Sequence, residues 1–323
     1  MFSATLNQML FLFCCILVGF FLKKKKLLGD NCESVISKLE NLILIPCLLM
    51  QSFYTNCTFD SLKNNAELLF YGLGFVLLQV LLAYILAPIF KPTADEKGIF
   101  VYSLSVVNFS FMGNSLVASL FGAEMLYKYL IFSMPLNVLA FSIGYMWLSG
   151  ESFSFKKLLN PIMISMIIGI VIGLTGIQLP VFIKQSISSL ANCFSPLAMI
   201  LTGLVIGGYD IKSLLKNKRV YLLTLVRCIL LPLVLLSVVK FIGLRQEIIT
   251  LLVFICAMPL GLNTIVVPSA FGKDTTLGAS MALISNILGL ISDVLNILSA
   301  SSWYGNIFFS STFNSHLYFF VIR

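Results

Sequence analysis

The sequence predicts an all-α integral membrane protein, with ten transmembrane helices in two inverted five-helix repeats and helices 4 and 9 broken. Three observations predict it. Of 323 residues, 59% are hydrophobic and 11% are charged, whereas a soluble globular domain carries about 25% charged residues. Apolar runs recur along the chain, and a run of about 18 residues is long enough to span a bilayer as a helix. Two of these runs hold helix-breaking and amide residues in their middles, at matching places in the two halves.

The expected spans are Thr5–Leu22, Ile36–Phe53, Ala66–Phe90, Gly98–Phe121, Met125–Leu148, Asn160–Ile177, Val181–Gly207, Val220–Ile242, Ile248–Phe271 and Thr276–Leu298. The first reads as a retained helix. Its lysine run, Lys23 to Lys26, follows the apolar stretch instead of preceding it, the reverse of a secretory signal. Thirteen of the 21 Lys and Arg residues fall in the loops after odd-numbered helices, and Lys38 lies just inside the second span at the same end. The positive-inside rule then places those loops in the cytoplasm and both termini outside a cell (inner or plasma) membrane. The net charge of +8 is thus a topology signal, and no nucleic-acid partner is expected.

Internal repetition supports the two halves, 1–150 and 151–298. Phe121-Gly122 and Phe271-Gly272 lie 150 positions apart, as do Pro46 and Pro196. Five helices per half is an odd number, so the second half must cross the membrane inverted. Glycines at helical spacing, such as Gly203 and Gly207, mark close helix packing. The tail 299–323, rich in Ser and aromatics, has no clear apolar span and is given no role.

The ninth span carries Pro259, Gly261, Asn263, Thr264 and Pro268 in its middle, and the fourth carries Asn108, Ser110, Gly113, Asn114 and Ser115. Proline removes a backbone donor, and in hydrocarbon the freed groups must find protein or cavity water. Carboxamides both donate and accept, so Asn108, Asn114 and Asn263 can bind a carboxylate without burying a fixed cation. The simpler account is that Asn108, Ser110, Asn114, Asn263 and Thr264 only cap broken helix ends. Asn137 either lines the cavity or makes an interhelical hydrogen bond. Arg227 either meets substrate or reaches the nearer membrane face with its head. Asp293 is the one carboxylate the sequence places plausibly within a span.

Enzyme and cofactor chemistry find no support. HExxH, GxSxG and P-loop motifs are absent. The eight cysteines form no CxxC pair and the single histidine is His316, so neither a metal site nor a catalytic residue is expected. Gly207-Gly208-Tyr209-Asp210 looks like half of an intramembrane aspartyl protease whose partner is missing.

Several motifs together resemble the auxin efflux carrier family, which includes bacterial malate- and malonate-type permeases and plant auxin carriers. Met258 to Thr264, MPLGLNT, is similar to the family's MPxxxNT, and Asn108 to Gly113, NFSFMG, to its Asn-x-x-x-Met-Gly stretch. LIPCLLM around Pro46 and RCILLP from Arg227 to Pro232 add to the likeness. The resemblance implies inverted repeats, a crossover of helices 4 and 9, transport of small organic anions across the lipid bilayer, and a homodimer. The candidate substrate-binding residues, read from the chain itself, are Asn108, Ser110, Gly113, Asn114, Asn137, Arg227, Pro259, Asn263 and Thr264. Val107 and Ser115 stand where the family has prolines, so the helix 4 break is expected to rest on Gly113 with Asn114. The expected substrates are mono- or dicarboxylates or auxin-like acids, with the coupling ion open between H+ and Na+. A cation-coupled symporter of bile-acid type and a non-transporting ligand sensor are the alternatives.

Overall fold

A computed structural model describes residues 2–29, 31–151, 160–271 and 273–288. Asp293 and the tail 299–323 lie outside the described residues. Within them, regular structure is helical apart from one isolated β-bridge. The helices are α1 (Phe2–Lys24), α2 (Cys32–Leu39), α3 (Ile45–Asn56), α4 (Phe59–Leu86), α5 (Ala94–Ser105), α6 (Asn114–Phe141), α7 (Ile143–Ser149), α8 (Pro161–Thr175) and α9 (Val181–Gly207). There follow α10 (Ile211–Leu214), α11 (Lys218–Leu225), α12 (Leu231–Ile242), α13 (Gln246–Ala257), α14 (Asn263–Ala270) and α15 (Thr276–Leu288).

Among the described residues, four stretches are long and apolar enough to cross a membrane: Phe59–Phe90, Phe121–Ser149, Val181–Gly207 and Lys218–Val239. In Phe59–Phe90 the most apolar window has a mean hydropathy of 2.4, yet only 33% of it is buried inside the protein. An apolar helix that turns most of its surface outward suits a hydrocarbon surround, not water. Phe70, Leu77 and Phe241 are exposed in the same way.

Prolines shape several of these helices. Pro46 and Pro232 cannot donate and crowd the carbonyls four residues back. In both places the helix widens into a π-helical turn just ahead, Glu40–Leu44 and Val226–Leu230. The Ile45 N–H then bonds the Glu40 carbonyl and the Leu231 N–H the Val226 carbonyl, each spanning five residues. Elsewhere the chain turns at Gly122, whose φ of 80° interrupts the α6 helix where an L side chain would be strained.

The helices gather into two bundles. In one, α1 lies along α9, and α3 packs on α8 and α9. A Cβ at Gly203 would collide with the Ile16 carbonyl, and one at Gly19 with the Ile200 carbonyl, so small residues let these backbones touch. In the other bundle α4 packs on α5 and α6, α5 on α7, and α12 on α13. Phe75 and Phe132 join α4 to α6 with ring centroids 6.0 Å apart.

Candidate functional site

The site begins with two losses of helical backbone. Met258 precedes a proline, which disfavours the helical region, and it adopts φ −56°, ψ 142°. Helix α13 therefore stops at Ala257 and the chain resumes helix only at Asn263. Helix α5 stops at Ser105, and Val106 is extended at φ −121°, ψ 121°. The two open stretches pair with each other: Val107 and Leu260 form an antiparallel bridge, and the Asn108 N–H donates to the Pro259 carbonyl at 2.8 Å.

The location of the first opening corrects the sequence reading. Gly113 and Asn114 are not the break. Gly113 closes a π-helical turn, Phe109–Gly113, and Asn114 starts α6, while the non-helical backbone is Val106 to Asn108. Gly113 has another use. A Cβ there would strike the Tyr129 hydroxyl, which donates to the Phe109 carbonyl at 2.9 Å.

Backbone groups freed by the breaks find partners, as a dry interior requires. The Leu260 N–H donates to Ser285 Oγ of α15 at 3.1 Å. Thr264 Oγ1 donates to the Gly261 carbonyl at 2.9 Å. Arg227 Nη1 donates to the Cys256 carbonyl at 2.9 Å, placing a cation at the C-terminal end of α13 where the helix dipole favours it. Arg227 is completely buried within the protein, and it does not border the cavity described next.

That cavity, of about 20 Å³, lies at the crossing. This is room for one water molecule. Asn108, Ser110 and Asn263 line it, joined by Asn41. Ile45, Phe141 and Ile162 supply apolar wall. Asn41, Ile45 and Ile162 belong to the bundle of α3, α8 and α9, and the other lining residues to the opposite bundle, so the cavity sits on the seam.

The carboxamides there have divided roles. Asn108 Oδ1 accepts from the Met112 N–H at 3.4 Å and so caps the turn that follows. Its Nδ2 is buried and has no partner. Asn263 opens α14 and donates from Nδ2 to the Tyr102 hydroxyl at 2.8 Å. Both second half-helices thus start at this cavity, with the positive ends of their dipoles beside it. Asn41 Nδ2 reaches back to the Ser37 carbonyl at 2.8 Å.

Of the remaining expected site residues, Asn137 donates to the Ser133 carbonyl one turn back at 3.3 Å, away from the cavity. Asn114 is buried with an unpartnered Oδ1, also outside it. Pro259 and Thr264 shape the second break, and Gly113 closes the turn after the first, none of them lining the space. Sequence reasoning missed Asn41, Tyr102 and Ser285. Asn41 carries a signal, a carboxamide one turn before Pro46 in an apolar span; the other two have none. It also missed Glu40, completely buried within the expected second span, so Asp293 is not the one candidate intramembrane carboxylate.

A wider cavity, about 630 Å³, opens on the face bearing the lysine run. Lys23, Glu33, Ser37, Lys38, Tyr209 and Ile265 border it. Ser37 is one helical turn from Asn41, and Ile265 two residues from Asn263, so this vestibule ends close to the crossing.

The membrane transport protein family, that of the auxin efflux carriers, has a model that matches residues 4–149 and 144–297. The chain belongs to this family. No curated protein shows significant similarity to it. As a membrane transport protein of this family, the carrier has the crossing and its cavity as the natural place to look for a substrate.

Proposed function

We propose that the protein is a secondary transporter of small organic anions, mono- or dicarboxylates or auxin-like acids, working by alternating access at the crossing. The observation that carries this reading is the unpartnered Nδ2 of Asn108, a buried donor on a cavity flanked by two half-helix N-termini. An unmade buried hydrogen bond is costly, and a carboxylate oxygen would complete it. The one-water volume fits a closed state, and the position on the seam lets one bundle move against the other to admit a larger solute. The lysine-rich face, with its vestibule, is the cytoplasmic side in this reading.

The test is counterflow in proteoliposomes, with [14C]malate, malonate and indole-3-acetate as probes. Exchange of at least one probe is expected; saturable binding without flux would instead identify a ligand sensor. Asn108→Asp separates capping from binding. Aspartate keeps the capping acceptor but replaces the donor with a like charge. Loss of a hydrogen bond to a charged ligand predicts roughly ten- to hundredfold weaker uptake with normal membrane insertion. Unchanged uptake would remove Asn108 from the site.

A further inference from the structure

Building on the transporter reading, we propose that the Glu40 side chain is a proton-carrying site and that the protein is a proton–anion symporter. Glu40 stands at the start of the π-helical turn ahead of Pro46 and is completely buried. Neither carboxyl oxygen has a hydrogen-bond partner. A buried carboxylate needs a counter-charge or donors; lacking both, it is kept by holding a proton.

Among the described residues, the elements packed on the turn supply no counter-charge. Helix α8 contains no ionisable side chain. On α9, Lys184 donates to Gln178 and Cys193 is exposed. On α2, Glu33 pairs with Lys23 at 2.7 Å, Lys38 is exposed, and Cys32 donates to Glu33. Cys47 and Tyr54 of α3 stand seven and fourteen positions beyond Glu40, or about 10 and 21 Å along the helix.

The position suits a gated proton. Asn41, the next residue, lines the crossing cavity, whereas Ser37, one turn earlier on the same face as Glu40, borders the vestibule. Ser37 Oγ also accepts from Asn41 Nδ2 at 3.4 Å, a hydrogen bond that links a residue bordering the vestibule to one lining the cavity. In the state open to one side, the carboxylate takes a proton from hydronium and leaves water. In the state open to the other side, it returns the proton to water. An ionised Glu40, next in the chain to the cavity-lining Asn41, would repel an anion there through a medium of low dielectric, so proton and anion bind together.

The test uses the full chain in liposomes with the probes named above. An inwardly directed proton gradient should drive probe accumulation well above equilibration. Glu40→Gln, a neutral isostere, should retain counterflow within about twofold and lose the gradient-driven accumulation, and Glu40→Asp should restore part of it. Counterflow that ignores the proton gradient, or that follows a sodium gradient instead, overturns the symport while leaving the transporter reading intact. No counterflow with any probe fails the transporter reading, and the symport with it. A second measurement needs no substrate. Infrared difference spectra of the purified protein at neutral pH should show a protonated-carboxyl C=O band that disappears in Glu40→Gln. Absence of a Glu40-dependent band overturns the proton site itself.

Discussion

The two breaks that meet at the crossing are built by different means. After α13 the local sequence suffices: Pro259 has no N–H and forces Met258 out of the helical region. Around the opening after α5 the chain has no proline: Val107 and Ser115 flank the Asn108–Asn114 stretch. Val106 and Val107 nevertheless leave the helix, and Asn108 spends its N–H on the Pro259 carbonyl. One break is imposed from within its own span and the other is held open by its partner. A helix without a breaker can open in a dry interior when a neighbour supplies acceptors for the donors it frees.

That contrast can be tested, beginning with the largest effect. Ser285→Ala leaves the buried Leu260 N–H unpaired and should destabilise the α13–α14 break by about 1–3 kcal/mol. A thermal melt in detergent, with fast amide exchange near Leu260, reads it. An unchanged melting point would mean that the proline break needs no outside acceptor. Tyr129→Phe removes the one hydroxyl that bonds the Phe109 carbonyl. The expected cost is about 0.5–1.5 kcal/mol, with exchange rising at residues 108–113 and not at 258–262.

Val107→Pro gives the α5 break a proline of its own, as Pro259 gives the α13 break. Val106 already has the extended conformation that a following proline demands. Less freedom in the unfolded chain should stabilise the protein by about 0.4–1 kcal/mol with transport retained. A lower melting point would show that the partner-held geometry is incompatible with proline.

The smallest effect lies outside the membrane. Glu96 starts α5 in a capping box with Thr93, and both its oxygens accept from Arg219, at 2.8 and 2.6 Å. The Arg219 guanidinium holds the Glu96 carboxyl below the ordinary carboxylate range. A depressed carboxyl contributes stability above its unfolded pKa and loses it as pH falls through the folded one. The melting-point gap between wild type and Glu96→Gln should therefore be full at neutral pH and close below about pH 4. A gap that persists in acid would assign the effect to packing.

Some of this protein was legible from local chemistry alone. Apolar runs, the lysine asymmetry and Pro259 each act over a few residues, so the membrane class, the family and the break at Met258 could be read directly. The break before α6 was displaced in the sequence reading, from Val106–Asn108 to Gly113–Asn114, because glycine and asparagine are the local breakers there. In the fold Gly113 is needed for a different reason, the approach of the Tyr129 hydroxyl. Arg227 shows the same limit: an arginine within a span signals a special role, but not that it faces the Cys256 carbonyl.

By itself the sequence determined the solvent this chain folds in, its family and one of its two breaks, because hydrophobicity and proline sterics are properties of short stretches. The tertiary structure decided where the second break lies, which carboxamides share a cavity and that Glu40 is left without a partner. Those outcomes depend on which donors and acceptors face one another across residues more than a hundred positions apart, where no local rule reaches.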